Sequence, residues 1–461
     1  MWIKYTNEKS WESIKLKHEK FNYASMDDFK SKISEMKLNI PISDNTDVLF
    51  DKVAVDSTIF ENRFVIQPME GCDGSSLGAP EELTYRRYKR FAQSGAALIW
   101  MEAVALSPEA RANPRQLQIT KDNVDAYKKL IETIKEEGLR TNGFQPKVIM
   151  QATHSGRNSK PNGFPEPIIA HNKPLFEKNA PLDSTCIISD DDLKRFEEKF
   201  GEGAKLAQEA GFDGIDIKCC HGYLASELLS AYDRPGEFGG SFENRTRLLV
   251  NGVKNANAAV SGDFIVTSRL GIYDGFEYPY GFGVKEGNGI EVDLTEPKKL
   301  ISILHNELGM NLINITIGNP YVNPHVNRPY DTGVCGFIPD QHPLEGVERM
   351  LYCAGEIQKE FPDMTIISSG YSYLRQYAPN VGAALVENGL TSMIGFGRES
   401  FAYPEFIQDL KKNGAMNEKK CCITCSKCTE LMRMGTVAGC VIRDKEIYVP
   451  KYTEAKAKLN K

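Results

Sequence analysis

The chain has 461 residues, 41% of them apolar and 26% charged, with a net charge of -6 and a pI near 5.8. Such a length and apolar content can bury a large core, while the acidic balance and the lack of any Lys or Arg block exclude a nucleic-acid or anionic-membrane surface. No apolar h-region follows Met1 and no apolar run is long enough to cross a bilayer, so a cytoplasmic protein is expected, with its eleven cysteines as reduced thiols.

Residues 1–48 are dominated by Lys, Glu and Ser with scattered aromatics, Trp2, Trp11, Phe21 and Tyr23, and are predicted to form a helical extension packed on the body. From about residue 60 to 400, short β-branched runs alternate with amphipathic stretches, the pattern of repeated βα units around a parallel sheet. Eight strands are predicted, at 63–68, 97–103, 147–151, 214–218, 264–269, 311–316, 364–368 and 392–396. Helices such as 81–93, 193–210, 242–257 and 343–359 carry apolar residues at three-to-four spacing. Eight such units predict an α/β TIM barrel over 49–419, with functional residues at the strand ends. The Gly- and Tyr-rich segment 271–293 is too long for a routine βα connection and is a candidate substrate loop, with a solvated insertion as the equal alternative.

Polar residues gather where the strands end. The third strand runs into Gln151, His154 and Arg157, whose amide, imidazole and guanidinium could together grip a polar heterocycle. The fifth ends in Arg269, a permanent cation that needs either a structural carboxylate such as Glu102 or an anionic cofactor ring. Behind strands seven and eight stand Ser369-Gly370 and Gly395-Phe-Gly397-Arg398, in the loops where barrels hold phosphate through backbone N–H groups.

The segment 420–461 opens on Cys421-Cys422-Ile-Thr-Cys425-Ser-Lys-Cys428 and returns to Cys440, enough thiolates for the four-cysteine ligation of a [4Fe-4S] cube. Structural zinc more often uses two separated Cys-x2-Cys knuckles, which this segment lacks. Either Cys421 or Cys422 could be the first ligand; Cys422 keeps the tighter spacing.

Asn62-Arg63-Phe-Val-Ile-Gln-Pro68-Met69, Gln151-x-x-His154-x-Gly156-Arg157, His221-Gly222-Tyr223-Leu224, Phe238-Gly239-Gly240-Ser-Phe-Glu243-Asn244-Arg245, Arg269-Leu270 and Gly397-Arg398 resemble the motifs of the old yellow enzyme family of NADH:flavin oxidoreductases, over most of 49–415. The cysteine segment is similar to that of the family's iron-sulfur branch, which includes trimethylamine dehydrogenase and bacterial 2,4-dienoyl-CoA reductase. The resemblance implies FMN across the barrel mouth, with Pro68, Met69, Ala103, Gln151 and Arg269 around the isoalloxazine and Gly370, Gly397 and Arg398 around the phosphate. It implies reduction of the C=C bond of an unsaturated carbonyl compound, with His221 on the carbonyl oxygen and Tyr223 as proton donor. Electrons would come from NAD(P)H or, through the cluster, from an external electron-transfer protein.

Two departures qualify this. Lys218 stands where the family usually has a first histidine, and Asn158 where dienoyl-CoA reductase has a tyrosine, leaving Tyr321 and His325 as substitute donors or substrate contacts. No Gly-x-Gly-x-x-Gly follows a strand, so no built-in nucleotide-binding domain is expected. The rival readings are an FMN and iron-sulfur dehydrogenase that oxidises a small amine, and an inactive barrel with a zinc-binding docking segment.

Overall fold

A computed structural model describes residues 18–177, 182–331 and 341–459. Trp2 and Trp11 lie outside the described residues. An antiparallel hairpin, β1 (Val53–Val55) and β2 (Thr58–Phe60), precedes the barrel strands. These are β3 (Phe64–Ile66), β4 (Leu98–Ala105), β5 (Lys147–Thr153), β6 (Gly214–Ile217), β7 (Ile265–Thr267), β8 (Arg269–Gly271), β9 (Leu312–Thr316), β10 (Thr365–Ser368) and β11 (Met393–Phe396). All barrel pairings are parallel, and neighbours run β7-β6-β5-β4-β3-β11-β10-β9-β8. The fold is a TIM barrel, and each predicted strand is present.

The fifth predicted strand is broken at Ser268. Its first half, β7, pairs with β6 and its second half, β8, with β9, so one interrupted strand joins both edges of the sheet. At the break, the Ser268 hydroxyl donates to the Ile217 carbonyl at 2.8 Å and the Asn314 N–H to the Ser268 carbonyl at 3.1 Å, so the interruption leaves few orphaned groups.

Strand residues alternate between two cores, as period-two side chains must. Val65, Leu98, Trp100, Ile149, Leu312, Ile367 and Met393 form one cluster with Val53, Val55 and Phe60, so the hairpin closes the end of the barrel opposite the strand termini. Phe64, Ile66, Ile99, Val148 and Met150 pack outward in the larger cluster that includes the helices. The helix Asp190–Glu209 shows why these segments start where they do: the Ser189 side chain accepts from the Asp192 N–H, and three aspartates occupy its positive first turn.

The described part of the extension, from residue 18, contains the helix Met26–Glu35, opened by a Ser25/Asp28 capping box. Phe29 stacks on Tyr377 at 5.0 Å, and the Phe21 N–H donates to Asp331 at 3.2 Å, the same carboxylate that accepts from Tyr373 at 2.5 Å. The extension therefore braces the segment that follows Gly370. At the other end of the chain, the cysteine segment is pinned by Arg86 and Arg90 to Asp444, both at 2.7 Å, and by the Ala438 N–H to the Gly71 carbonyl at 2.7 Å.

Candidate active site

At the ends of the strands an open pocket encloses about 1220 Å³ of space, its mouth included. Strand and loop ends supply Gln67, Pro68, Met69 and Glu70 after β3, Ala103 from β4, Gln151 from β5, Lys218, His221 and Tyr223 after β6, and Arg269 from β8. Ser369 and Gly370 after β10, Gly395 from β11, and Gly397 and Arg398 just after it complete the floor. The cysteine segment contributes Cys428, Thr429, Met432, Arg433 and Ala438 as one wall. The residues expected around FMN, together with Lys218, His221, Tyr223 and Tyr321, thus line a single space, although they come from eight separate stretches of chain.

Arg269 is buried, its Nε has no hydrogen-bond partner among the described residues, and no carboxylate forms an ion pair with it there. Glu102 is not its partner, contrary to one sequence expectation. That carboxylate instead joins Asp73 around Arg87, accepts from the Tyr88 hydroxyl at 3.1 Å and from the Gly71 N–H at 2.8 Å, and ties the loop after β3 to β4. Asp216 is the carboxylate near Arg269: it accepts from the Arg269 N–H at 2.6 Å, the Gln151 amide at 2.7 Å and the Trp100 indole at 2.7 Å. Gln151 consequently faces the pocket with one amide hydrogen committed to Asp216. Arg398 has its Nη1 without a partner among the described residues, while its Nη2 donates to the Pro329 carbonyl at 3.0 Å. Gly370 has a φ of +110°, and a Cβ on Gly395 would stand 2.0 Å from Gln67 Nε2, so both positions need glycine to keep backbone close to the space.

His221 has a left-handed backbone, φ +65°. Asn327 Nδ2 donates to the Ile317 carbonyl at 3.0 Å, which fixes the amide's orientation, and lies 3.0 Å from His221 Nε2. Nε2 must therefore accept, and the ring proton sits on Nδ1. Burial, reinforced by Arg269, Lys218 and Arg328, holds this imidazole's pKa well below its usual value, so it is neutral. The Tyr223 hydroxyl is 3.3 Å from that of Tyr321, and Lys218 Nζ lies 3.6 Å from the centre of the Tyr223 ring. Tyr223 is 3% exposed and Tyr321 43%, so the pair links the interior to solvent.

Other candidates are elsewhere. Arg157 is spent on Glu177 and Glu227, both within 2.6 Å. His154 packs edge-on against Phe196 and accepts from the Gly156 N–H at 3.0 Å. His325 is buried against Tyr330 and lines no part of the pocket. No residue of 271–293 lines it either; Phe276 and Phe282 fold that loop inward. Conversely, Glu70, Gln67, Asn314, Arg328 and Asp216 escaped the sequence reading. Glu70 Oε1 has no partner among the described residues, and burial raises its pKa.

Burial also pushes the His154 pKa down to about 4. A folded-state value below the unfolded one near 6.5 means that the unfolded chain binds the extra proton, so this group's stabilisation is present above pH 6.5 and is lost as pH falls through about 4. Between pH 7 and pH 4, urea titrations should therefore show the stability of His154→Gln shifting relative to the parent by roughly 3 kcal/mol in the variant's favour. A pH-independent difference would show that the ring is not held neutral.

In the cysteine segment, Cys422 has its thiol pKa pushed well up by burial, then by Glu399, with Cys428 and Cys440 adding to it. Burial raises Cys440 to about 11, with Cys428 and Cys425 adding to it. The Thr424 N–H points at Cys422 Sγ (3.4 Å) and the Arg443 N–H at Cys440 Sγ (3.3 Å). Cys421 differs: its thiol donates to the Asn417 carbonyl at 3.5 Å. Among the described residues no group of three or more His, Cys, Asp or Glu is drawn tightly enough to hold a single metal ion.

A family model described as the NADH:flavin oxidoreductase / NADH oxidase family matches residues 48–306. An NADH oxidase of Thermoanaerobacter brockii is 26% identical over 86% of this chain and 54% of its own length. An NADPH dehydrogenase of Bacillus pumilus is 33% identical over 47% of the chain and 62% of its own length. The chain thus spans between half and two thirds of these relatives. Among solved structures, a 2-naphthoyl-CoA reductase superposes with a TM-score of 0.69 at 16% identity over 86% of this chain and 57% of its own, and morphinone reductase with 0.57 at 20% identity over 80% and 92%. A histamine dehydrogenase from Rhizobium sp. 4-9 gives 0.64 at 20% identity over 86% and 52%.

Proposed function

Because the chain belongs to the NADH:flavin oxidoreductase / NADH oxidase family, we propose that it is an FMN-dependent ene-reductase, which reduces the C=C bond of an α,β-unsaturated carbonyl compound and carries a [4Fe-4S] cluster. The observation that carries the flavin is the pocket itself: two guanidinium groups, Arg269 and Arg398, keep N–H donors unpartnered beside glycine backbone. Arg269 suits the anionic end of a reduced isoalloxazine, Pro68, Met69, Ala103 and Gln151 its ring, and Arg398 with Gly370 and Gly397 its phosphate. FMN bound there supplies hydride chemistry.

The neutral His221 would hold the substrate carbonyl through Nδ1–H and stabilise negative charge as it builds on that oxygen. Tyr223, kept protonated by burial, would deliver a proton to the α-carbon, and Tyr321 would resupply it from solvent. Lys218 places positive charge beside the phenolate left behind. Lys218, Arg269, Arg328, Arg398 and Arg433 all line the space, which favours developing anions and disfavours an ammonium substrate, so alkene reduction stands above amine oxidation.

For the cluster, Cys422, Cys425, Cys428 and Cys440 are the proposed ligands. A cube spreads its sulfurs over separate corners, so they need not crowd as the ligands of one zinc ion do, and backbone N–H groups already point at two of them. The family makes NAD(P)H the proposed electron donor.

Anaerobic reoxidation of the reduced protein by a panel of enones and enals tests the reading; reoxidation by none of them, or a protein without flavin absorbance, would overturn it. Arg269→Gln should lower the flavin reduction potential, because the reduced anionic ring loses a cation that forms no ion pair among the described residues. Potentiometry that finds no change would assign Arg269 to the fold.

A further inference from the structure

Two opposite charges face the pocket without meeting. Of the charged described residues that line it, five are Lys or Arg and one, Glu70, is an acid. Glu70 Oε1 is buried without a hydrogen-bond partner, and neither the Glu70 carboxyl nor the Lys218 ammonium forms an ion pair or hydrogen bond among the described residues. Lys218 is only 6% exposed, and its Nζ rests over the Tyr223 ring at 3.6 Å. The Lys218 charge offsets part of the burial that raises the Glu70 pKa, so the two groups are neighbours. Buried opposite charges that do not pair are unfavourable, and a ligand atom that donates to one and accepts from the other relieves both. That ligand group is neutral: an ammonium would meet five cations and a carboxylate would meet Glu70, whereas one hydroxyl oxygen both donates to a carboxyl and accepts from an ammonium. The Glu70 charge also bears on Tyr223 and Tyr321, so the pair stands on the side of the pocket that holds the proposed proton donors.

We propose that Glu70 and Lys218 together bind a hydroxyl group of the substrate, so that the protein selects α,β-unsaturated carbonyl compounds hydroxylated close to the alkene. The inference rests on the ene-reductase reading and narrows its substrate class. An ammonium carries three hydrogens, so Lys218 serves the hydroxyl and still faces the Tyr223 ring.

The test uses the flavin-loaded protein and cyclohexenones that carry a ring hydroxyl, with unsubstituted cyclohexenone and the methyl ethers as controls for the missing donor and for size. In the parent, kcat/KM should favour the best alcohol over both controls by about 10²-fold, because neither control gives the carboxyl a hydrogen. Glu70→Leu should bring the ratio of alcohol to unsubstituted ketone within about threefold of one, while Glu70→Gln, which keeps an accepting oxygen in place, should retain a preference of about tenfold. Calorimetric titration with the saturated hydroxyketones and methoxyketones should give the same order of affinities in each protein without turnover. A ratio near one in the parent, or the full parental preference in either variant, overturns the proposal. Reduction of cyclohexenone without a preference for the alcohols would leave the ene-reductase reading standing, and reduction of none of the compounds would sink both.

Discussion

Replacing Cys425 with Ala should abolish the iron and sulfide content of the protein. Each sulfur of a four-thiolate site is a direct iron ligand, and three other described thiols are placed elsewhere: Cys421 is turned to the Asn417 carbonyl, and Cys219 and Cys220 are buried beyond the end of β6. Cys421→Ala and Cys220→Ala should both retain parental iron. The Ala variant at 425 should also lose part of its flavin affinity, since Cys428, Thr429 and Met432 line the same pocket and the loop that carries them would lose its anchor. Colorimetric iron and acid-labile sulfide on anaerobically purified variants decide this. Full occupancy in Cys425→Ala would remove Cys425 from the ligand set, and loss in Cys421→Ala would replace Cys422 with Cys421 as the first ligand.

The second large effect concerns proton delivery. Tyr223→Phe removes one hydroxyl and keeps the ring that lies under Lys218, so reduction of the enzyme by NAD(P)H should survive, while alkene-dependent reoxidation should slow by about 10²- to 10⁴-fold. His221→Ala should chiefly weaken substrate binding. Tyr321→Phe should be milder, because the hydroxyl 3.3 Å away only resupplies the proton, and its defect should depend on buffer concentration. Stopped-flow traces of both half-reactions separate these roles. If Tyr321→Phe alone stalls in the oxidative half, the proton comes from the loop after β9 and Tyr223 merely supports it.

The barrel was legible in the chain because strand runs and helical faces have fixed periods, and because a residue at the end of a predicted strand has few places to point other than the mouth. Thus Gln151, Arg269 and Tyr223 could be named in advance. What failed was the assignment of partners. Arg157 and His154 follow β5 as closely as a pocket residue would, yet Glu177 and Glu227 claim the guanidinium and Phe196 the imidazole; all three approach from helices or loops far along the chain. Asp216 stands near Arg269 where Glu102 was expected for the same reason: which carboxylate meets which arginine depends on how neighbouring strands are staggered, and spacing along one strand does not report that. Glu70 carried a signal that was passed over, an acidic side chain two residues beyond Pro68 at a strand terminus.

The wall built by the cysteine segment has a consequence for the order of events during synthesis. Met69 on one side of the pocket and Cys428 on the other are separated by about 360 residues, which takes roughly 20 to 70 s to translate at the usual 5–20 residues per second. Throughout that interval the barrel strands can pair and the Arg398 turn can form, but the cavity stands open along one side. Closure of that side waits for the cysteine segment, so a ribosome that stalls before Ala438 would leave a nascent chain with a folded barrel and an unsealed pocket, and a proteolytic cut after residue 420 would do the same to the folded protein.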